Sequence, residues 1–308
     1  MNVLLVAEES AGIGVLRMLT RTPHRIVAVM TAPPTRGGGA TVGGVAQALD
    51  VPQLPSAKVK DPALADWMRV QEVDLLLNVH SMHLIHADVV AAPRIGSFNL
   101  HPGPLPHYAG LNAPSWAIYH GETRHAVTLH WMEAGIDTGA IAYEAAFGLT
   151  ERDTGLTVSA RCVKEGLPLV ARLLDAAAQG RDAIPAHRQD SGERRYFGRD
   201  APGGGRIVWS HPAREIVGLV RASDYAPFQS PWGQPLARLD DSPLAVSKAS
   251  STGDAAIGEP GAVGDADGDA VRVAAGDEWV LVHRVQLNGK PIAAARVLRP
   301  GMRLGDGA

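Results

Sequence analysis

Three side chains have the types and spacing for acyl-transfer chemistry: Asn99 and His101 in SFNLHPGP, and Asp137 in EAGIDTGA. An amide and an imidazole can donate hydrogen bonds to an oxyanion that develops on a carbonyl. A carboxylate beside the imidazole can hold its charge or relay a proton. No serine or cysteine nucleophile is required. Asp137-Thr138-Gly139 also spells the triplet of the aspartic proteases, with Asp190-Ser191-Gly192 as an apparent partner. A protease dyad needs two aspartates in apolar pockets sharing a proton, whereas the second triplet lies in the polar run HRQDSGERR.

The elements that must position this trio follow from the flanking residues. Ile95 to Leu100 reads as a short strand, so Asn99 and His101, two apart, point the same way. Pro102, Pro104 and Pro106 then forbid helix and strand pairing alike, and the chain leaves the sheet as a stiff loop at the strand's carboxyl end. Open α/β sheets place their ligands at that edge. A second strand, Ala126 to Met132, runs into the turn Glu133 to Gly139, which presents Asp137 beyond it. The three side chains are expected to converge.

Elsewhere, strands are read at Val3 to Ala7, Arg25 to Met30, Val73 to Val79 and Ile141 to Phe147. Helices are read from Gly14 to about Leu19, at Val45 to Leu49, at Asp61 to Gln71, at Ala113 to His120 with Trp116 in the core, and at Thr157 to Gln179. That alternation predicts an α/β domain over residues 1–187. Residues 188–205, with Arg188, Arg194, Arg195 and Arg199, read as a solvated linker. Residues 206–308 alternate short apolar segments with Gly/Asp turns and read as a small β-barrel. Ser250 to Asp269 is so rich in Gly, Ala, Ser and Asp that it is expected to be mobile.

The motif N-x-H-P-x-x-L-P-x-Y-x-G at Asn99 to Gly110, with G-I-D-T-G at Gly135 to Gly139, resembles the signature of the 10-formyltetrahydrofolate-dependent formyltransferases. The resemblance covers nearly the whole chain and is strongest from Leu75 to Gly155. It implies a Rossmann-like α/β catalytic domain followed by a small, OB-like β-barrel. It also implies 10-formyltetrahydrofolate as co-substrate, with Asn99 and His101 on the oxyanion and Asp137 assisting proton removal from the attacking amine. By the same resemblance Met82, His83 and Ile85, with Glu133, Ala134, Gly135 and Ile136, would hold the folate. Ser10, Ala11 and Gly12 would face the acceptor.

Gly12 and Gly14 lack the third glycine of a dinucleotide fingerprint, and two glutamates precede them where a pyrophosphate would sit. His80, His83 and His86 stand at intervals of three, but no HExxH motif or cysteine pair accompanies them, so no metal is expected. Cys162 is the only cysteine and sits in an apolar helical pattern, so it is read as core.

The net charge of −3 over 308 residues argues against a general nucleic-acid binder, and DNA is not an expected partner. Residues 201–308 hold 11 Lys and Arg against 12 Asp and Glu, whereas a barrel used as a tRNA clamp should be basic. The loop Ala32 to Gly43 carries only Arg36. The expected acceptor is therefore a small amine: an amino acid, a hydroxylated amino acid or an amino sugar. Methionyl-tRNA is the alternative, and a folate-binding regulator without catalysis is the alternative of another class. No signal peptide or membrane span is read, so a cytoplasmic enzyme is expected.

Overall fold

The computed structural model describes residues 1–33, 40–287 and 289–307. Arg36 lies outside them. In chain order the first elements are β1 (Asn2–Ala7), α1 (Glu9–Leu19), β2 (Arg25–Thr31), α2 (Val42–Ala48), β3 (Gln53–Pro55), α3 (Ala63–Val70), β4 (Leu75–Val79), α4 (Ala87–Ala91) and β5 (Gly96–His101). There follow β6 (Ala109–Gly110), α5 (Ala113–Tyr119), β7 (Arg124–Trp131), β8 (Ile141–Gly148), α6 (Gly155–Ala177) and β9 (Tyr196–Phe197). Each strand and helix expected from the sequence up to Gly180 is present, with ends displaced by a few residues.

By packing, the chain divides into two compact units, each built from separated segments. The first holds Met1–Gly110, His125–Phe147 and Ala160–Tyr196; the second holds Leu111–Arg124, Gly148–Ser159 and Phe197–Ala308. The packing thus groups α5 with the second unit.

The first unit is organised on a sheet of order β3-β2-β1-β4-β5-β7-β8. β1 pairs in parallel with β2 and β4, and β4 in parallel with β5, while β7 is antiparallel to β5. Val3 to Ala7 and Leu75 to Leu77 are almost wholly buried, which explains why these strands read as continuous apolar runs rather than alternating ones. The strand order advances from β1 toward β2 on one side and toward β4 on the other. The topological switch point, where such sheets bind ligands, thus lies between β1 and β4. Gly12 serves packing: a Cβ there would stand 2.8 Å from the Cβ of Ala7, so only glycine lets α1 lie this close to β1.

The second unit contains α5, α7 (Ala213–Ala222) and a run of strands: β10 (Leu236–Leu239), β11 (Ser242–Ala255), β12 (Val263–Asp267), β13 (Ala270–Ala274), β14 (Glu278–Leu287), β15 (Lys290–Ala293) and β16 (Leu304–Asp306). α5 packs on α7, and the Ser115 hydroxyl donates to the Ala222 carbonyl at 2.9 Å. The sheet runs β12-β13-β14-β11-β10-β16, with β15 also on β14. Its ends meet: Ala262 bridges Arg303, and the Leu304 amide donates to the Gly261 carbonyl at 2.8 Å. The antiparallel sheet thus curls into a small barrel.

The expectation of a mobile Ser250 to Asp269 is corrected, since most of that stretch is strand. Thr252 Oγ1 donates to the Trp279 carbonyl at 2.7 Å, Ser250 Oγ lies 2.9 Å from His283 Nε2, and Gly264 leaves room for the Trp279 ring. Composition failed as a guide here because the apolar surface is supplied by the partner strand. Among the described residues no helix is long and apolar enough to cross a membrane.

Candidate active site

The register of β5 brings the polar side chains together. Asn99 is opposite Asn78 of β4 on one side and His130 of β7 on the other, while His101 is opposite Thr128. Asn78 Nδ2 donates to Asn99 Oδ1 at 2.9 Å, which fixes the amide with its nitrogen toward Asp137. Asn99 Nδ2 then donates to Asp137 Oδ1 at 3.2 Å, with His130 Nε2 3.1 Å away. His130 Nδ1 lies 2.7 Å from the Trp131 carbonyl, which leaves Nε2 facing the Asp137 carboxylate.

His101 is buried, and its Nε2–H donates to the Tyr108 carbonyl at 2.6 Å. Nδ1 faces Asp137 Oδ2 at 3.5 Å, so a proton on Nδ1 completes an ion pair with the carboxylate. Nε2 is thus taken up by the chain, and Nδ1 is the nitrogen turned toward Asp137 and the site.

Asp137 is reached from a loop held in an unusual conformation. Its own φ is 53°, in the left-handed region that aspartate tolerates better than bulkier residues. Two residues on, a Cβ at Gly139 would lie 1.9 Å from the Trp131 carbonyl oxygen, so the loop closes only with glycine. The Gly110 amide donates to Asp137 Oδ2 at 2.8 Å, and His130 Nε2 lies 3.4 Å from Oδ1. Burial alone would raise this carboxyl; the imidazoles of His101 and His130 and the Gly110 amide outweigh it and hold Asp137 well below the usual carboxylate range. For His101, burial is the larger influence and pushes the ring down, against the opposing pull of Asp137.

Sequence reasoning missed several contributors. His130 and Asn78 are ordinary strand residues until the register sets them beside Asn99. The segment expected to be a solvated linker instead grips the Asp137 loop: Gln189 Nε2 donates to the carbonyls of Asp137 at 2.9 Å and Gly139 at 2.6 Å, and Arg194 donates to the Ile136 carbonyl at 2.9 Å. Backbone carbonyls carry no sequence signal, so nothing in the chain advertises these contacts.

The remaining expected residues separate by exposure. Met82 is exposed, His83 is half-buried, Ile85 packs against the core beneath, and Glu133, Ala134, Gly135 and Ile136 form an exposed rim. Ser10 is exposed, whereas Ala11 and Gly12 are buried, so only Ser10 of these three presents a side chain to solvent. His80 pairs with Glu9 and His86 caps α4 by accepting from the Asp88 amide. Among the described residues no group of three or more His, Cys, Asp or Glu could hold a metal ion. Asp190 accepts from the Gly192 amide within its own turn.

Comparison with known proteins extends this picture. Residues 3–173 match the family model described as formyl transferase, and residues 202–302 match the formyl transferase C-terminal domain. A methionyl-tRNA formyltransferase of Anaeromyxobacter dehalogenans is 30% identical over 315 aligned positions, covering 98% of this chain and 97% of its own. An N-formyltransferase from Helicobacter canadensis, solved with folinic acid and dTDP-3-aminofucose, superposes with a TM-score of 0.70 at 17% identity, over 91% of this chain and 98% of its own. HypX from Aquifex aeolicus, solved with tetrahydrofolic acid, gives 0.66 at 19% identity over 96% of this chain; this chain spans only 46% of HypX.

Proposed function

Because the chain belongs to the formyl transferase family, we propose that it transfers the formyl group of 10-formyltetrahydrofolate to the amino group of a small acceptor. The acceptor would be an amino acid, a hydroxylated amino acid or an amino sugar. The observation that carries this reading is the cluster in which Asn99, His101 and His130 all address one ionised carboxylate, Asp137, at the carboxyl edge of the sheet.

Attack of an amine on a formyl carbon produces a tetrahedral adduct with a negative oxygen and a positive nitrogen. The Asn99 amide, turning from Asp137, would donate to the oxygen, and His101, with Nδ1 turned toward Asp137, would hold the carboxylate in place. Asp137 would stabilise the positive nitrogen. Exposed Met82 and Leu84, with the backbone around His83 and Ile85, suit the flat faces and polar edge of a pterin.

Methionyl-tRNA is the second reading, favoured by relatives 30% identical over nearly the whole chain. Against it stands the barrel's near-balanced charge, since phosphate neutralisation dominates tRNA affinity. Incubation with 10-formyltetrahydrofolate and a panel of amino acids, hydroxylated amino acids, amino sugars and charged methionyl-tRNA, read by mass spectrometry, tests both. Absence of any formylated product, with folate binding retained, would favour a non-catalytic folate binder.

A further inference from the structure

We propose that Glu9 and His80 form a carboxylate–imidazole dyad that takes the proton from the acceptor's ammonium before it attacks. This inference rests on the reading of the chain as an amine formyltransferase. The two residues follow β1 and β4, the strands that flank the switch point of the sheet. Ala7 is opposite Val79 in the register, the Glu8 amide donates to the Val79 carbonyl at 3.1 Å, and Glu9 and His80 come next on either side. Their side chains meet, with His80 Nδ1 3.3 Å from Glu9 Oε2. Val79 is in turn opposite Leu100, so His80 stands beside His101, close enough to act on it electrostatically.

Three features distinguish this pair from a chance surface contact. Glu9 and His80 both have positive φ, 58° and 57°, in a region non-glycine residues enter at a cost, and such positions gather at functional sites. The His80 side chain is only 13% exposed, yet Nε2 makes no hydrogen bond to a described residue. The arrangement of a carboxylate on one ring nitrogen and an open position on the other is that of a general base held in orientation by a third group. Glu9 is held below its ordinary range by the hydrogen bond from His80, so it stays charged and steadies the imidazolium that forms.

The need for such a base follows from Asp137, which is held ionised and is correspondingly weak as a proton acceptor. An amine acceptor arrives in water mainly as an ammonium and cannot attack until it loses a proton. In the proposed sequence that proton passes to His80 Nε2 and later to solvent. The neutral amine forms the new C–N bond to the formyl carbon. The bond from that carbon to N10 of the folate then breaks, and a second proton from the amine nitrogen ends on N10.

The test uses the full chain and the amine that it formylates fastest in the panel above. His80→Asn suits the left-handed backbone and removes the base; Glu9→Gln keeps the shape and removes the charge. At neutral pH kcat/KM for the amine should fall by about 100-fold in His80→Asn and about 10-fold in Glu9→Gln, within the usual range for a positioned base. The deficit should shrink as pH rises toward the amine's own titration, because solution then supplies neutral amine, and added imidazole should restore part of the lost rate. Because His101 feels His80 electrostatically, Glu9→Gln, which keeps the imidazole in place, must show the same pH trend as His80→Asn. Affinity for a folate analogue and melting temperature should match wild type. An unchanged kcat/KM at neutral pH, or a deficit independent of pH, overturns the dyad. A wild-type protein that formylates no amine overturns the functional reading and the dyad together.

Discussion

Gln189 reaches back over 52 residues to the Asp137 carbonyl, 2.9 Å from its Nε2, and the same nitrogen bonds the Gly139 carbonyl. One amide thereby pins both shoulders of the loop that delivers the site's carboxylate. Each such bond contributes about 1 kcal/mol net, and a buried carbonyl left unpaired costs about 1–3 kcal/mol. Gln189→Ala should lower kcat by roughly tenfold through a displaced Asp137, with a folate analogue still bound. Steady-state kinetics beside a binding titration checks it, and an unaltered kcat would show that the loop holds its shape without Gln189.

Replacing the carboxylate itself tests the centre of the cluster. Asp137→Asn keeps the shape and the left-handed backbone but removes the charge that Asn99, His101 and His130 surround. Formyl transfer should fall by roughly a hundredfold or more, the scale seen when a charge-stabilising group is removed. Near wild-type kcat would make Asp137 a structural residue.

Acid should reveal the same carboxylate in stability. Its folded-state pKa lies below its unfolded value, so its contribution is fully present above the ordinary aspartate range, near pH 4, and is lost as pH falls through the folded value. Below about pH 4 the difference in unfolding free energy between wild type and Asp137→Asn should therefore shift progressively against wild type. Chemical denaturation across that range measures it. A pH-independent difference would mean that Asp137 is no better stabilised folded than unfolded.

Ligand preference offers a simpler check. A reduced-folate analogue should raise the melting temperature, because a ligand that binds only the native state stabilises it. NAD should not, since the glycine of the first turn is taken up by packing of α1 on β1. Stabilisation by NAD alone would remove the basis for the folate reading.

Cys162 should be inert. It is buried, and burial pushes its thiol up, out of the range in which a reactive thiolate forms. A thiol reagent should label it only on unfolding, which a time course in and out of denaturant would show.

Taken alone, the sequence determined the elements and the chemistry carried by side chains. Apolar runs such as Val3 to Ala7 and the three prolines after His101 set strands and their ends, because hydrophobic burial and the missing proline N–H act locally. The two-residue spacing of Asn99 and His101 placed both on one face for the same reason. Tertiary structure decided what addresses them. His130 and Asn78 depend on which strand pairs with β5 and in what register, the pairing of Glu9 with His80 on β1 and β4 becoming neighbours, and the grip of Gln189 on backbone carbonyls that every residue possesses. Strand registry also gave order to Ser250–Ala255, where composition pointed to mobility, because the apolar partner of a small-residue strand is supplied from elsewhere in the chain.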